Sequence, residues 1–158
     1  MQSIKIKIIL LLSFLLLSNC GFKIVDRSEI NNFIIKELIM TGEKRINYKL
    51  KNNLLRSSKQ NSKNNLILTI HTKQKREVKE KNIKNEITKY QILIETEVEL
   101  QIIERSKKYT FNFDVAGDYS NDKNYSSTIS NEKSLIENLI KNMTIKTTNF
   151  IDQRLNDI

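Results

Sequence analysis

The chain is short of most of the residues that build chemical sites. Of its 158 residues, one is cysteine (Cys20), one is histidine (His71), three are glycine (Gly21, Gly42, Gly117) and none is proline. A single cysteine excludes a disulfide framework, so the domain must be held by an ordinary apolar core. One histidine with one cysteine excludes the usual zinc constellations. No glycine-rich phosphate loop occurs, and so few glycines without proline announce few sharp turns. Long apolar runs are also missing, apart from one at the start. Ile8–Leu17 is broken only by Ser13, about half of the roughly 20 residues that a membrane-spanning helix requires.

What is present begins with that run. Lys5 and Lys7 precede it, giving a charged segment followed by a short apolar one, the layout of a secretory signal. It ends in Leu17-Ser18-Asn19-Cys20, which resembles the bacterial lipobox, although Asn19 stands where glycine, alanine or serine is usual. The Cys20 thiol is the nucleophile in that motif able to take a diacylglycerol. This accounts for an odd cysteine in an exported chain. Several acyl chains make an effectively permanent anchor, where one would be marginal. In the lipoproteins that this motif resembles, an aspartate after the cysteine favours the inner membrane, so Gly21 favours the outer one.

Three segments follow from this reading: a signal over 1–19, a lipidated tether over 20–32, and one domain over 33–158. Removing 19 of 158 residues leaves 139, enough for one core and too few for two. The signal also carries off Lys5 and Lys7, so the net charge falls from +9 to +7. Such a basic chain invites nucleic acid as a partner, which export argues against; an anionic membrane surface or lipid remains. Lys, Asn and Ile dominate the composition, as in AT-rich genomes, so the basic excess has two readings, a functional one and codon bias.

Periodicity predicts six elements. Phe33–Met40 reads as a strand, broken by Thr41-Gly42. Ile46, Leu50 and Leu54 share one face of a helix from Glu43 to about Arg56. Ser57–Lys63 reads as a polar loop, and Leu66, Leu68, Ile70 and Thr72 as an alternating strand. Tyr90, Ile92, Ile94, Thr96, Val98, Leu100 and Ile102 line one face of a long strand whose other face carries Glu95, Glu97 and Glu99. Arg105–Lys108 is expected to turn into a strand with Tyr109, Phe111, Phe113 and Val115. A polar loop over Asp118–Ser130 then leads to a helix over about Asn131–Asn156, with its N-cap near Ser130 and an apolar stripe of Ile136, Ile140, Met143, Thr147, Phe150 and Ile151. The order is β-α-β-β-β-α. It predicts an α+β two-layer sandwich, with a mostly antiparallel four-stranded sheet covered on one face by two helices.

At this point the chain resembles the LptE family of lipopolysaccharide-assembly outer-membrane lipoproteins. The resemblance rests on Cys20-Gly21-Phe22, on Arg45-Ile46-Asn47-Tyr48-Lys49-Leu50-Lys51-Asn52-Asn53-Leu54 as the first helix, on Tyr90-Gln91-Ile92-Leu93 opening the long strand, and on Asn131-Glu132-Lys133 before the last helix. No one of these is specific; their order along nearly the whole chain carries the weight. It implies a non-enzymatic protein that plugs and helps assemble a large outer-membrane barrel, LptD, and binds lipopolysaccharide on its way to the outer leaflet. The implied partners are that barrel, lipopolysaccharide and the outer membrane, with no cofactor beyond the lipid on Cys20. It also implies a basic contact just ahead of the Tyr-Gln pair. Lys73, Lys75, Arg76, Lys79 and Lys81, which with Lys84 fall at the end of the second strand and in the loop after it, are the candidate lipopolysaccharide-binding residues. The opposing reading is a solvated hairpin partly neutralised by Glu77 and Glu80. An alternative function is an auxiliary lipoprotein of a periplasmic lipid-transport system, anchored but not lodged in a barrel. A hydrolase would need a catalytic set that the sequence does not show, since Glu95, Glu97 and Glu99 at period two read as a solvated strand face.

Overall fold

A computed structural model describes residues 32–59 and 62–157. The signal, the lipobox with Cys20 and all of the tether except Asn32 lie outside the described residues. The elements are β1 (Phe33–Gly42), α1 (Lys44–Ser57), β2 (Asn64–Lys81), β3 (Ile87–Ile102), a 3-10 turn (Ile103–Arg105), β4 (Lys107–Ser120) and α2 (Tyr125–Asn156). The strands lie in the order β1-β2-β3-β4. β1 runs parallel to β2, as the crossover through α1 requires, and the other two pairings are antiparallel. Both helices cover one face, so the expected two-layer α+β sandwich stands.

The core is built by alternation. Leu66, Leu68 and Ile70 of β2, Ile92, Ile94, Val98, Leu100 and Ile102 of β3, and Phe113 and Val115 of β4 are buried together. Ile46, Leu50 and Leu54 of α1 and the whole predicted stripe of α2 close over them. β1 holds a device that simple alternation misses. Phe33 and Ile35 are one residue out of phase with Leu38 and Met40, so an unbroken strand would turn one pair away from the core. A bulge at Lys36, between the paired residues Ile35 and Glu37, absorbs the extra residue and brings both pairs inward.

Gly42 ends β1 at φ +95, and a Cβ there would stand 1.8 Å from the Thr72 carbonyl oxygen, so only glycine fits. Immediately after it, a small polar knot fixes the start of α1. The Asn47 amide donates to the Thr41 carbonyl (2.9 Å), the Thr72 hydroxyl donates to Asn47 Oδ1 (2.8 Å), and the Glu43 amide donates to Thr72 Oγ1 (3.1 Å). Asn47 and Thr72 are both buried, so these bonds offset a desolvation that would otherwise count against the fold.

Three boundaries differ from the sequence reading. β2 takes in the whole basic stretch to Lys81, part of which is expected in a loop, and the turn is Asn82–Glu86, where the Asn82 side chain accepts from the amides of Lys84 (2.9 Å) and Glu86 (3.0 Å). The turn between β3 and β4 is the 3-10 turn with Ser106 at φ +51, so Lys107 and Lys108 already belong to β4. The expected loop over Asp118–Ser130 is mostly ordered structure: β4 continues to Ser120, and α2 starts at Tyr125. Its cap is Asn124, which accepts from the Ser126 amide (3.0 Å), rather than Ser130. The 32 residues of α2 make a rod of about 48 Å.

Candidate functional site

The face of the sheet away from the helices is the first candidate, because no described element covers it. It presents Thr69, His71, Lys73 and Lys75 from β2, Glu95, Glu97 and Glu99 from β3, and Thr110, Asn112 and Asp114 from β4. His71 is exposed there, as its position opposite Leu68 and Ile70 predicts, with Nδ1 2.9 Å from Thr41 Oγ1. Lys73 lies directly across from Glu95, and the Lys75 ammonium donates to the Glu95 carboxylate. That bond holds the Glu95 carboxyl below its usual range and raises the Lys75 ammonium. His71, Lys73, Glu95, Glu97, Asn112 and Asp114 line a shallow depression in this face. Among the described residues, no three His, Cys, Asp or Glu side chains group so as to hold a metal ion.

The five basic candidates do not form one patch, because all of them lie on the strand and none in the loop after it. Alternation sends Lys73 and Lys75 to the uncovered face and Arg76 to the face shared with the helices. The Arg76 guanidinium carbon sits 4.0 Å from the ring centroid of Tyr90 and 5.6 Å from that of Tyr119. Its Nη1 is 4.0 Å from Glu132 Oε2, which accepts the Tyr119 hydroxyl at 3.1 Å. Burial, followed by the charge of Glu132, pushes the Tyr119 hydroxyl up to about 12. Arg76 is thus a fixed, stacked cation whose side chain remains 44 % exposed. Lys79 is the extra residue of a bulge between Val78 and Glu80, and Lys81 is the last residue of the strand; both are exposed. Lys89 takes up Glu80 at 2.7 Å, which leaves Lys79 and Lys81 less neutralised than a count of acidic neighbours suggests.

This basic stretch has a second property that the sequence did not disclose. β1 pairs with β2 only as far as Thr72, so Lys73–Lys81 has a partner strand on the β3 side alone among the described residues. Charged side chains, lysine above all, are how sheet edges avoid pairing with other chains. The cluster thus lies on an edge with no second partner strand among the described residues, and it presents cations near the tip of a long hairpin.

The aromatic partners Tyr90 and Tyr119 and the acidic partner Glu132 complete the Arg76 arrangement, and the sequence reading missed their association. The available signal was the alternation Tyr109, Phe111, Phe113, Val115, which continues through Gly117 to Tyr119. The expected loop instead opens at Asp118. Gly117 in fact stays in the strand where α2 packs closely; a Cβ there would meet Leu135 Cδ1 at 2.5 Å.

No family profile matches the sequence, and no curated protein matches it. Solved structures do. One is a candidate lipoprotein of Caulobacter crescentus, with a TM-score of 0.54 at 12 % identity over 82 % of this chain and 93 % of that one. Another is an uncharacterized lipoprotein B from Nitrosomonas europaea, with a TM-score of 0.52 at 9 % identity over 81 % of this chain and 89 % of that one. At such identities the likeness is one of fold, and the chain shares the fold of these bacterial lipoproteins.

Proposed function

We propose that the chain is an outer-membrane lipoprotein of the LptE kind. It is anchored through acylated Cys20, lodges in the lumen of an LptD-like β-barrel, and contacts lipopolysaccharide during transport to the outer leaflet. The observation that carries this reading is a combination: a sheet with one helix-covered face and one uncovered polar face, in a fold shared with solved lipoproteins, behind a lipobox-like Leu17-Ser18-Asn19-Cys20. The lumen of a wide outer-membrane barrel is polar, and a polar sheet face can lie against it without desolvating an apolar surface. Lys79 and Lys81 at the hairpin tip, with Arg76 behind them, supply the cations for lipid A phosphates. Arginine can clamp a phosphate through two donors, whereas lysine acts as a point charge.

The test is to purify the mature protein from detergent-solubilised outer membranes and identify what accompanies it. A stoichiometric β-barrel is the expected result. An acylated protein that carries no barrel would favour the auxiliary lipoprotein of a lipid-transport system instead.

A further inference from the structure

α1 carries a charge pattern that the reading above leaves unused. Its 14 residues include Lys44, Arg45, Lys49, Lys51 and Arg56 and no acidic residue. Only Lys49 is ion-paired, to Glu137 of α2 at 2.7 Å; Lys44, Arg45, Lys51 and Arg56 form no ion pair among the described residues. With Ile46, Leu50 and Leu54 turned to the core, Lys44, Tyr48, Lys51 and Leu55 fall at i, i+4, i+7 and i+11 along the outward side. Tyr48 is 70 % exposed and Leu55 42 %, so an aromatic and an aliphatic side chain stand in water between cations. Beside them, Met40, Thr41, Gly42, Lys44, Tyr48 and Lys51 line a shallow depression.

The place where the tether enters the domain bears on what covers this stripe. The Lys59 amide, just beyond the end of α1, donates to the Phe33 carbonyl at 3.0 Å, and Ser58 Oγ accepts from the Ile35 amide at 3.1 Å. The C-terminal end of α1 therefore lies at the point where the tether joins the domain. Cys20 is 13 residues before Phe33, a length that spans at most about 45 Å when extended. α1 itself is about 21 Å long. A lipid on Cys20 thus keeps the helix within reach of the bilayer that holds the lipid. Tyrosine favours the headgroup level, where its ring is shielded and its hydroxyl stays wet.

We infer that the outward stripe of α1 docks on the anionic phospholipid surface of the membrane that holds the anchor. Lys44, Arg45, Lys51 and Arg56 face the headgroup phosphates, and Tyr48 and Leu55 enter the headgroup layer. The inference rests on the lipid anchor at Cys20 and concerns the anchored chain outside the barrel, since a domain inside the lumen has the barrel wall between α1 and the bilayer. The tether raises the local concentration of surface, so individually weak contacts suffice. Each cation near such a surface changes the docked-to-free ratio by about fivefold.

The experiment uses the mature, acylated full chain in vesicles of neutral phosphatidylcholine, with or without phosphatidylglycerol. Asn52→Cys, beside the stripe, is the only free thiol once Cys20 is acylated, and it takes a polarity-sensitive fluorophore; Ile83→Cys, at the tip of the β2–β3 hairpin, is the control. The expected result is a blue shift at position 52 only when phosphatidylglycerol is present. Salt should reverse it, and the combined Lys44→Gln, Lys51→Gln and Arg56→Gln exchange should cut the docked-to-free ratio about a hundredfold, with helicity unchanged. A shift of equal size on neutral vesicles, in the triple variant or at position 83 would overturn the stripe. So would a shift seen with lipopolysaccharide but not with phosphatidylglycerol. A chain that floats with the vesicles yet shows no shift overturns the docking alone. One that does not float overturns the anchor and the docking with it.

Discussion

The two halves of β2 belong to one continuous strand and obey different rules. Asn64–Thr72 lies between β1 and β3, alternates cleanly, and sends Leu66, Leu68 and Ile70 into the core with no exposure at all. Among the described residues Lys73–Lys81 is paired on the β3 side alone; it carries five basic residues and has one apolar side chain, the exposed Val78. The first half is a strand because its own side chains need a core. The second is a strand because β3 needs a partner: Ile92 and Ile94 are buried, and their backbone groups pair with Arg76 and Gln74. Burial fixes the inner half, and backbone hydrogen bonding to a neighbour carries the outer one.

Substitutions should therefore separate the halves sharply. The largest effect belongs to Leu68→Asp, which places an unpaired charge in the inner core and exceeds what a small domain can absorb. Ile140→Asp, on the helix side of the same core, should behave alike. Loss of the cooperative melt by circular dichroism is the expected outcome for both.

One group inside the covered layer already breaks the rule. Asp152 of α2 is 7 % exposed, neither carboxylate oxygen has a hydrogen-bond partner among the described residues, and burial pushes its carboxyl up to about 6. Its folded value lies above the unfolded value of 3.8, so the folded state holds the proton more tightly. The stability gained by protonation is fully present below about pH 4 and is lost as the pH rises through 6. Asp152→Asn should accordingly raise stability at pH 7 by roughly 1–3 kcal/mol, with the advantage vanishing below about pH 4. A denaturant titration at several pH values reads this directly.

The outer half gives smaller effects. Arg76→Ala removes a cation from between Tyr90 and Glu132 and should cost about 1 kcal/mol. Arg76→Glu should cost more, because the new carboxylate faces Glu132. Lys79→Gln with Lys81→Gln should shift stability by less than about 0.5 kcal/mol, yet weaken binding to immobilised lipopolysaccharide in a salt-dependent way. If the two lysines change stability as much as Arg76 does, the distinction between a packed and a free part of the outer half fails.

The same contrast explains what was legible in the sequence. Elements whose side chains face a core announced themselves: the α1 face of Ile46, Leu50 and Leu54, the β3 alternation, and the α2 stripe all stand where periodicity puts them. Elements held by backbone pairing or by a cap did not. Lys73–Lys81 reads as a strand end running out into a loop because charge is nearly all it shows, and Tyr125–Ser130 reads as a loop because its helix is set by Asn124. The β1 bulge was hidden because its cause is the register against β2. The candidate site suffered most: seen as a list of cations, it looked like one patch, whereas the pleat divides Lys73 and Lys75 from Arg76. The partners of Arg76 come from three separate elements, β3, β4 and α2, which no local pattern could associate.

If the uncovered polar face meets a barrel wall, a photo-crosslinking amino acid at Glu97, exposed in the middle of that face, will be joined to it. In cells in which Cys20 takes up labelled palmitate, irradiation should join the protein to an outer-membrane β-barrel. An acylated, correctly localised protein that yields no barrel adduct from position 97 would mean that this face does not meet a barrel.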